Sequence, residues 1–178
     1  MKLNNQDLIN APAAIQKRGV VLRQATPEDH KTIISVMVDW WGGRDLRFMM
    51  LKLYLNHFFR TSFIVEKGDE LIAFIIGFMS PSLEKEAYIH FSGIHPDYRM
   101  QGLGRELYAA FLSLCKSNGR NIVKCCTSPV NVSSINFHTR IGFEIEPGNG
   151  EENGFAITRD YNREGDSKVI FKIDLENL

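Results

Sequence analysis

The stretch from Ile94 to Leu107 constrains this chain most, because an apolar run, a Pro-Asp turn, a glycine-spaced basic loop and an amphipathic segment follow in that order. This order predicts a strand, a loop and a helix N-terminus. The first N–H groups of a helix and its dipole attract anions, and glycine lets a ligand approach the backbone closely. We therefore interpret the loop as a cradle for a pyrophosphate; the alternative is a connection whose glycines only permit tight turning.

Two well-known phosphate loops do not match this stretch. The pattern Gly-x-x-x-x-Gly-Lys-[Ser/Thr] is absent, and Leu107 stands where the dinucleotide fingerprint requires its third glycine. What remains is Arg99-x-x-Gly102-x-Gly104 after a strand that ends Ile94-His95-Pro96. This pattern resembles the acyl-CoA loop of the GNAT superfamily of N-acetyltransferases.

A second segment, from Asn131 to Phe143, supports the resemblance. Members of that superfamily have an Asn that opens a short helix, which closes with an aromatic residue and Gly-Phe. The resemblance implies that Asn131 and the helix after it lie beside the pantetheine arm of CoA. It also places His138 where many members carry the tyrosine that protonates the leaving thiolate. The similarity extends over roughly residues 20 to 175.

The resemblance implies an α/β fold with a mixed, mostly antiparallel central sheet, splayed in the middle, and helices on both faces. We predict one such domain over residues 19–178, after a polar, irregular segment at 1–18 that forms a loosely held arm or a peripheral turn of helix. Acetyl-CoA is the expected cosubstrate, and no metal is expected. The expected cofactor-binding residues are Gly93, Ile94, His95, Arg99, Met100, Gln101, Gly102, Leu103, Gly104, Arg105, Asn131 and Ser134.

The amino-acid composition limits the classes of partner that the chain is expected to bind. Lysines plus arginines and aspartates plus glutamates number 21 each, so no overall field favours nucleic acid. No apolar run reaches membrane-spanning length, and the N-terminus does not resemble a secretory signal. The three cysteines, Cys115, Cys125 and Cys126, favour a reducing compartment over a disulfide framework. We expect a cytoplasmic protein.

The strand before the loop carries the expected chemistry. Gly93 suggests a β-bulge, since glycine inside a strand often marks one; the alternative is that it only relieves crowding. Alternation places His90 on one face with Tyr88, Ser92 and Ile94. The resemblance to the GNAT superfamily implies that backbone N–H groups near Gly93 polarise the thioester carbonyl. His90 is the candidate base or water relay, and His138 the candidate acid; each has the alternative of a hydrogen-bonded structural histidine.

The acceptor region is less specific. Trp40 and Trp41 precede two glycines, in a part of the GNAT fold that commonly lines the acceptor pocket, and an aromatic face can hold a cationic amine. Core packing or a dimer surface explains the two tryptophans equally well. The apolar helix predicted over 46–59 hints at a homodimer.

The predicted function is an acetyl-CoA-dependent N-acetyltransferase that moves an acetyl group directly to a primary amine of a small molecule. Two alternatives remain open. One is a protein acetyltransferase acting on lysine or an N-terminus, and the other is a non-catalytic acyl-CoA-binding module.

Overall fold

The structure is a computed structural model that describes residues 1–178. Its helices are α1 (Asn5–Gln16), α2 (Asp29–Trp40), α3 (Lys52–Phe58), α4 (Leu103–Ser117) and α5 (Val132–Ile141). Its strands are β1 (Val21–Gln24), β2 (Phe63–Lys67), β3 (Glu70–Met79), β4 (Glu86–Ile94), β5 (Ile122–Thr127), β6 (Glu144–Ile145), β7 (Gly150–Glu152), β8 (Phe155–Ile157) and β9 (Val169–Asp174).

Seven strands form one mixed sheet in the order β1-β2-β3-β4-β5-β9-β6. All neighbouring pairs are antiparallel except β4 and β5, which are parallel. The predicted mixed, mostly antiparallel sheet is therefore confirmed. None of the helices has both the length and the hydropathy to cross a membrane.

The central strand β3 is covered on both faces, which explains its nearly continuous apolar sequence. Ala73 and Ile75 pack into a core cluster that includes side chains of α1 and α4. Phe74 and Ile76 pack into a second cluster with side chains of α2 and α3. The sheet thus separates two apolar layers, as the predicted arrangement of helices on both faces requires.

The β-bulge of β4 lies at His90, not at Gly93. The β3–β4 register shifts between Ile76 and Gly77, and the extra residue on β4 is His90. Gly93 pairs regularly with Phe74, so the expected bulge at Gly93 is wrong.

The bulge reverses which side chains of β4 share a face. His90 stacks on Tyr54 of α3, whereas Ser92 hydrogen-bonds Tyr108 of α4 on the opposite side of the sheet. Strict alternation, which placed His90 with Ser92 and Ile94, therefore fails because one extra residue flips every later side chain.

Gly93 instead allows close aromatic packing. A Cβ atom at this position would lie 2.7 Å from the Phe74 ring and 2.8 Å from the Trp41 ring. Any side chain at residue 93 would therefore displace one of these rings.

The N-terminal segment is neither a loosely held arm nor a single peripheral turn of helix, since α1 has 12 residues and packs into the core. Asn4 and Asp7 form a capping box that starts α1. The side chains of Leu8, Ala11 and Ile15 are buried in the cluster shared with α4. The domain boundary proposed at residue 18 stays a prediction.

The two isoleucines of α1 provide a test of this packing. Ile15 is fully buried and Ile9 is 70% exposed. We expect Ile15→Ala to lower the unfolding free energy by about 2–5 kcal/mol, because it leaves a cavity. Ile9→Ala, the same substitution in the same helix, should change the unfolding free energy by less than about 0.5 kcal/mol. Urea denaturation measures both; equal effects would contradict a packed α1.

Two further expectations are corrected. The apolar stretch predicted as one helix over 46–59 is a 3₁₀ turn at Arg47–Met49 followed by the short helix α3. The sequence predicts a final hairpin of residues 155–159 and 169–174, joined by a polar turn, but β8 pairs with β7 and β9 lies between β5 and β6. Only an isolated bridge joins Thr158 to Lys168.

Candidate active site

A gap opens between the two parallel strands of the sheet. β4 and β5 pair only from Glu86 to Ile89 on β4, although β4 continues to Ile94. The β4 edge over residues 90–94 therefore has no strand partner on this side. Unpaired strand edges accept extended ligands through main-chain hydrogen bonds.

The loop that leads from β4 into α4 lies at the end of this gap. None of the backbone N–H groups of residues 100–105 donates a hydrogen bond within the protein. Gly102 precedes α4 with φ +90°, a conformation that favours glycine, and no side chain caps the helix. The loop therefore presents a row of free donors at a helix N-terminus, which is suited to an anion.

Side chains of this loop turn back toward the protein. The Arg99 guanidinium donates from Nε to the Ile94 carbonyl at 3.0 Å and from Nη2 to the Trp40 carbonyl at 2.5 Å. The Gln101 amide donates to the Asp97 carbonyl at 2.7 Å. The side chains of Arg99 and Gln101 thus shape the loop, whereas the backbone N–H of Gln101 belongs to the row of free donors.

Two other expected ligands have side chains engaged elsewhere. Arg105 donates to both carboxylate oxygens of Asp7 at 2.7 and 2.8 Å, so it ties α4 to α1. His95 accepts at Nδ1 from the Asp97 N–H at 3.2 Å and lies 3.7 Å from a Glu70 carboxylate oxygen. Both side chains thus have contacts within the protein, and their binding of CoA stays a prediction.

The remaining loop residues have separate functions in the structure. Met100 is 92% exposed with φ +59°, and Leu103 is buried in the core. A Cβ atom at Gly104 would lie 3.4 Å from the Phe137 ring, so glycine lets the first turn of α4 approach α5.

Asn131 and Ser134 organise the start of α5. The Asn131 side chain accepts a hydrogen bond from the Ser134 N–H at 3.3 Å and donates one to Thr127 at 3.2 Å. Asn131 is therefore the N-cap of α5. Its contacts fix the end of β5 relative to α5, beside the gap.

His138 is a buried histidine with both ring nitrogens occupied. Nδ1 lies 2.7 Å from the Ser134 carbonyl, which only accepts, so Nδ1 carries the proton. Nε2 then accepts from the Tyr108 hydroxyl at 2.9 Å. Burial lowers the pKa of His138 to about 4. Both ring nitrogens are engaged inside the protein, and the role of His138 as the acid that protonates the leaving thiolate stays a prediction.

Tyr108, which no sequence signal singled out, connects His138 with β4. Its hydroxyl lies 2.9 Å from Ser92 Oγ, and because it donates to His138 it accepts from Ser92. Burial raises the pKa of Tyr108 far above neutral, so the hydroxyl stays protonated. The chain from Ser92 through Tyr108 to His138 locks α4, α5 and β4 together at the gap.

The low pKa of His138 predicts a stability that depends on pH. Unfolding raises the pKa of His138 from about 4 to its ordinary value of ~6.5. At a pH between these two values the unfolded chain therefore binds a proton that the folded chain does not, and this destabilises the fold. Stability is complete above ~6.5 and falls as the pH decreases toward 4. Between about pH 7.5 and about pH 5, the wild type should lose about 2 kcal/mol more unfolding free energy than His138→Gln. Equal losses in urea titrations would contradict a neutral, buried His138.

His90, at the bulge, has a different environment. Nε2 lies 2.9 Å from the Met49 carbonyl, so Nε2 carries the proton, and the ring stacks on Tyr54 with centroids 3.8 Å apart. Burial lowers the pKa of His90, and the hydrogen bond to Met49 partly opposes this. Nδ1 has no protein partner and is not among the fully buried atoms. His90 is thus a neutral imidazole with a free lone pair beside the gap.

The two tryptophans lie in different environments. Trp40 is 6% exposed and stacks on Phe74, so most of its ring belongs to the core, and its exposed part lines a surface pocket together with Leu71 and His95. Trp41 is partly exposed and packs against Phe91 with ring centroids 5.6 Å apart. Of the pair, only Trp41 lies at the surface near His90.

Residues 27–143 match the family model described as the acetyltransferase (GNAT) family, and this range contains β4, the loop, α4, β5 and α5. The chain belongs to the GNAT acetyltransferase family. The predicted resemblance is confirmed, and the loop of free N–H groups occupies the position of the GNAT acyl-CoA motif identified in the sequence.

Relatives of this GNAT protein agree with that assignment. The chain is 26% identical to the uncharacterized N-acetyltransferase MJ1207 of Methanocaldococcus jannaschii over 69% of this chain, and it spans 60% of the relative's length. Among solved structures, Ard1 from Thermoplasma volcanium superimposes with a TM-score of 0.69 at 20% identity, covering 88% of this chain and 98% of Ard1. YncA from Salmonella typhimurium, solved with its cofactor acetyl-CoA, gives 0.61 at 14% identity over 88% and 94%. These structures share the fold.

Proposed function

We propose that this GNAT protein transfers the acetyl group of acetyl-CoA directly to a primary amine of a small molecule. The row of free N–H groups at residues 100–105, at the end of the β4–β5 gap, carries the proposal. A thioester of a diphosphate-bearing cofactor fits both features. Its phosphates would accept hydrogen bonds from these N–H groups, and its extended arm would pair with the unpaired β4 edge.

The donor is held mainly by backbone groups. The N–H groups of residues 100–105 bind the pyrophosphate, and the dipole of α4 adds to the attraction. The two amides of the pantetheine arm pair with the β4 edge over residues 90–94, beside α5 and its cap Asn131. Backbone donors near Gly93 and Ile94 polarise the thioester carbonyl.

His90 acts as the general base in this proposal. Its Nδ1 lone pair takes the proton of the attacking amine while the amine nitrogen bonds to the thioester carbon and the C–S bond breaks. A lowered pKa keeps the imidazole neutral and ready to accept near neutral pH. The hydrogen bond to Met49 fixes the tautomer and aims Nδ1 away from the protein backbone.

The acceptor approaches on the α2–α3 side of the sheet. Trp41, Phe91, Tyr54 and His90 place aromatic faces there. Such faces attract an amine in its cationic form, which releases one proton to water before the neutral nitrogen attacks; the second proton passes to His90 and CoA leaves as the thiolate.

A second candidate acceptor is the N-terminal amine of a protein. Phe48, Leu51 and Leu53 are 67%, 54% and 51% exposed, close in sequence to Met49, whose carbonyl binds His90. An exposed apolar segment beside the base suits a peptide chain better than a small polar amine. The same segment would be covered in the proposed homodimer. We place the reaction in the cytoplasm, where the three free cysteines stay reduced.

Release of free CoA thiol distinguishes these acceptors. The protein is incubated with acetyl-CoA and three panels: small primary amines, peptides with free N-termini, and lysine peptides with blocked N-termini. We expect turnover with at least one small amine. Turnover with peptides alone would favour the protein acetyltransferase. Binding of acetyl-CoA without turnover across broad panels would favour the non-catalytic module.

A further inference from the structure

Arg18, between α1 and β1, contacts the proposed phosphate loop from behind. Its guanidinium donates from Nε and Nη2 to the two carboxylate oxygens of Glu106 at 2.6 and 2.8 Å. Nη2 also donates to the Gln101 carbonyl at 2.7 Å. Arg18 therefore joins the first turn of α4 to the peptide group just before Gly102.

This contact sets the direction of one loop donor. In a planar trans peptide, the carbonyl and the following N–H point in opposite directions. With the Gln101 carbonyl held by Arg18, the Gly102 N–H points away from Arg18, and it has no acceptor in the protein. A charge-assisted hydrogen bond to the carbonyl also polarises the peptide group, which strengthens the N–H as a donor.

Helix α1 keeps Arg18 in place. Its apolar face, formed by Leu8, Ala11 and Ile15, is buried against α4. In addition, both carboxylate oxygens of Asp7 accept hydrogen bonds from the Arg105 guanidinium. Because α1 packs along α4, the guanidinium of Arg18 is fixed relative to the loop and is not a freely moving surface charge.

We propose that Arg18 is a positioning residue for the pyrophosphate of the acyl donor, and that α1 is the support that holds it. Arg18 acts through the Gln101 peptide group and not by touching the donor. This inference rests on the proposed function, because it assigns the ligand of residues 100–105.

The test compares donors with and without a pyrophosphate. Dissociation constants for CoA are measured by calorimetry, and kcat and KM are measured with acetyl-CoA and with S-acetylpantetheine. Arg18→Ala should raise the Kd of CoA and the KM for acetyl-CoA about tenfold, the value of one hydrogen bond to a charged group. The kcat at saturating acetyl-CoA and kcat/KM for S-acetylpantetheine should stay unchanged, since neither depends on the loop.

Asp7→Asn is the matched control. It weakens the ion pair that joins Asp7 of α1 to Arg105 of α4, without touching the Gln101 carbonyl. Its Kd for CoA should stay within about twofold of the wild type, because α1 remains packed by its apolar face. Equal losses in both variants, or an equal loss with S-acetylpantetheine, would overturn the proposal in favour of general support by α1. Failure of the wild type to bind CoA would instead overturn the proposed function.

Discussion

Gly102→Val should abolish detectable binding of acetyl-CoA, a loss of at least about 100-fold, equivalent to ~2.7 kcal/mol. Gly102 has φ +90°, where a β-branched residue is strained, so the loop would have to change its path. A Cβ atom at this position would lie 3.1 Å from Arg18 Nη2. The N–H groups of residues 100–105 would then no longer converge on one pyrophosphate.

Thermal unfolding with and without acetyl-CoA measures this loss. Ligand at about 100 times its Kd should stabilise the wild type by about 2.7 kcal/mol, which corresponds to a rise in Tm of several degrees. This rise should vanish in Gly102→Val.

Gly119, at the other end of α4, supplies the matched control. It has φ +72°, and a Cβ atom at this position would have no neighbouring atom within 4 Å. Gly119→Val therefore carries similar backbone strain away from the loop. Gly119→Val should lower the Tm of the free protein yet keep the rise with acetyl-CoA. A rise preserved in Gly102→Val would show that the loop does not bind the pyrophosphate.

The parts of the site with a local sequence signal could be predicted. The order of apolar run, Pro-Asp turn, Gly102 and amphipathic helix identified the loop and α4, because each step has its own conformational preference. The spacing of Asn131 and Gly142 bounded α5 for the same reason. Pairing over longer distances left no such signal, which explains why β8 was assigned to the wrong hairpin.

The bulge at His90 shows why side-chain directions in β4 could not be predicted. One inserted residue leaves the composition of the strand unchanged but reverses the alternation after it. Gly93 drew attention as a bulge residue, although its actual role is to admit the rings of Phe74 and Trp41. Both facts depend on neighbours from other elements.

The length and the packing of α1 were not predicted, because its local sequence signals conflict. Leu8, Ala11 and Ile15 follow a helical spacing, and Asn4 with Asp7 forms a capping box. Pro12 within the helix and the many polar residues favour irregular structure instead. The packing of α1 on α4 compensates for the low helix propensity of this segment. The contacts of Arg18 with the loop could be recognised only once that packing was known.

The largest effect on catalysis is expected for His90→Gln. General acid–base catalysis contributes typically about 10²–10⁴-fold, so kcat should fall by about that factor. Glutamine can still donate a hydrogen bond to the Met49 carbonyl but has no basic nitrogen. The KM for acetyl-CoA should change little, because the expected donor contacts are backbone groups of β4 and the loop.

His30→Gln is the matched control for His90→Gln, and the pH profile supplies a second readout. His30 donates from Nε2 to the Met50 carbonyl at 2.8 Å, the same contact that His90 makes with the adjacent Met49, but it lies on α2 away from the bulge. His30→Gln should keep kcat within about twofold of the wild type, as expected for a site outside the chemistry. A base must be neutral to act, and burial lowers the pKa of His90, so wild-type kcat/KM should fall only below the ordinary histidine value of ~6.5. This acidic limb should be absent in His90→Gln. A variant that keeps both its rate and the limb would show that another group, or water, takes the amine proton.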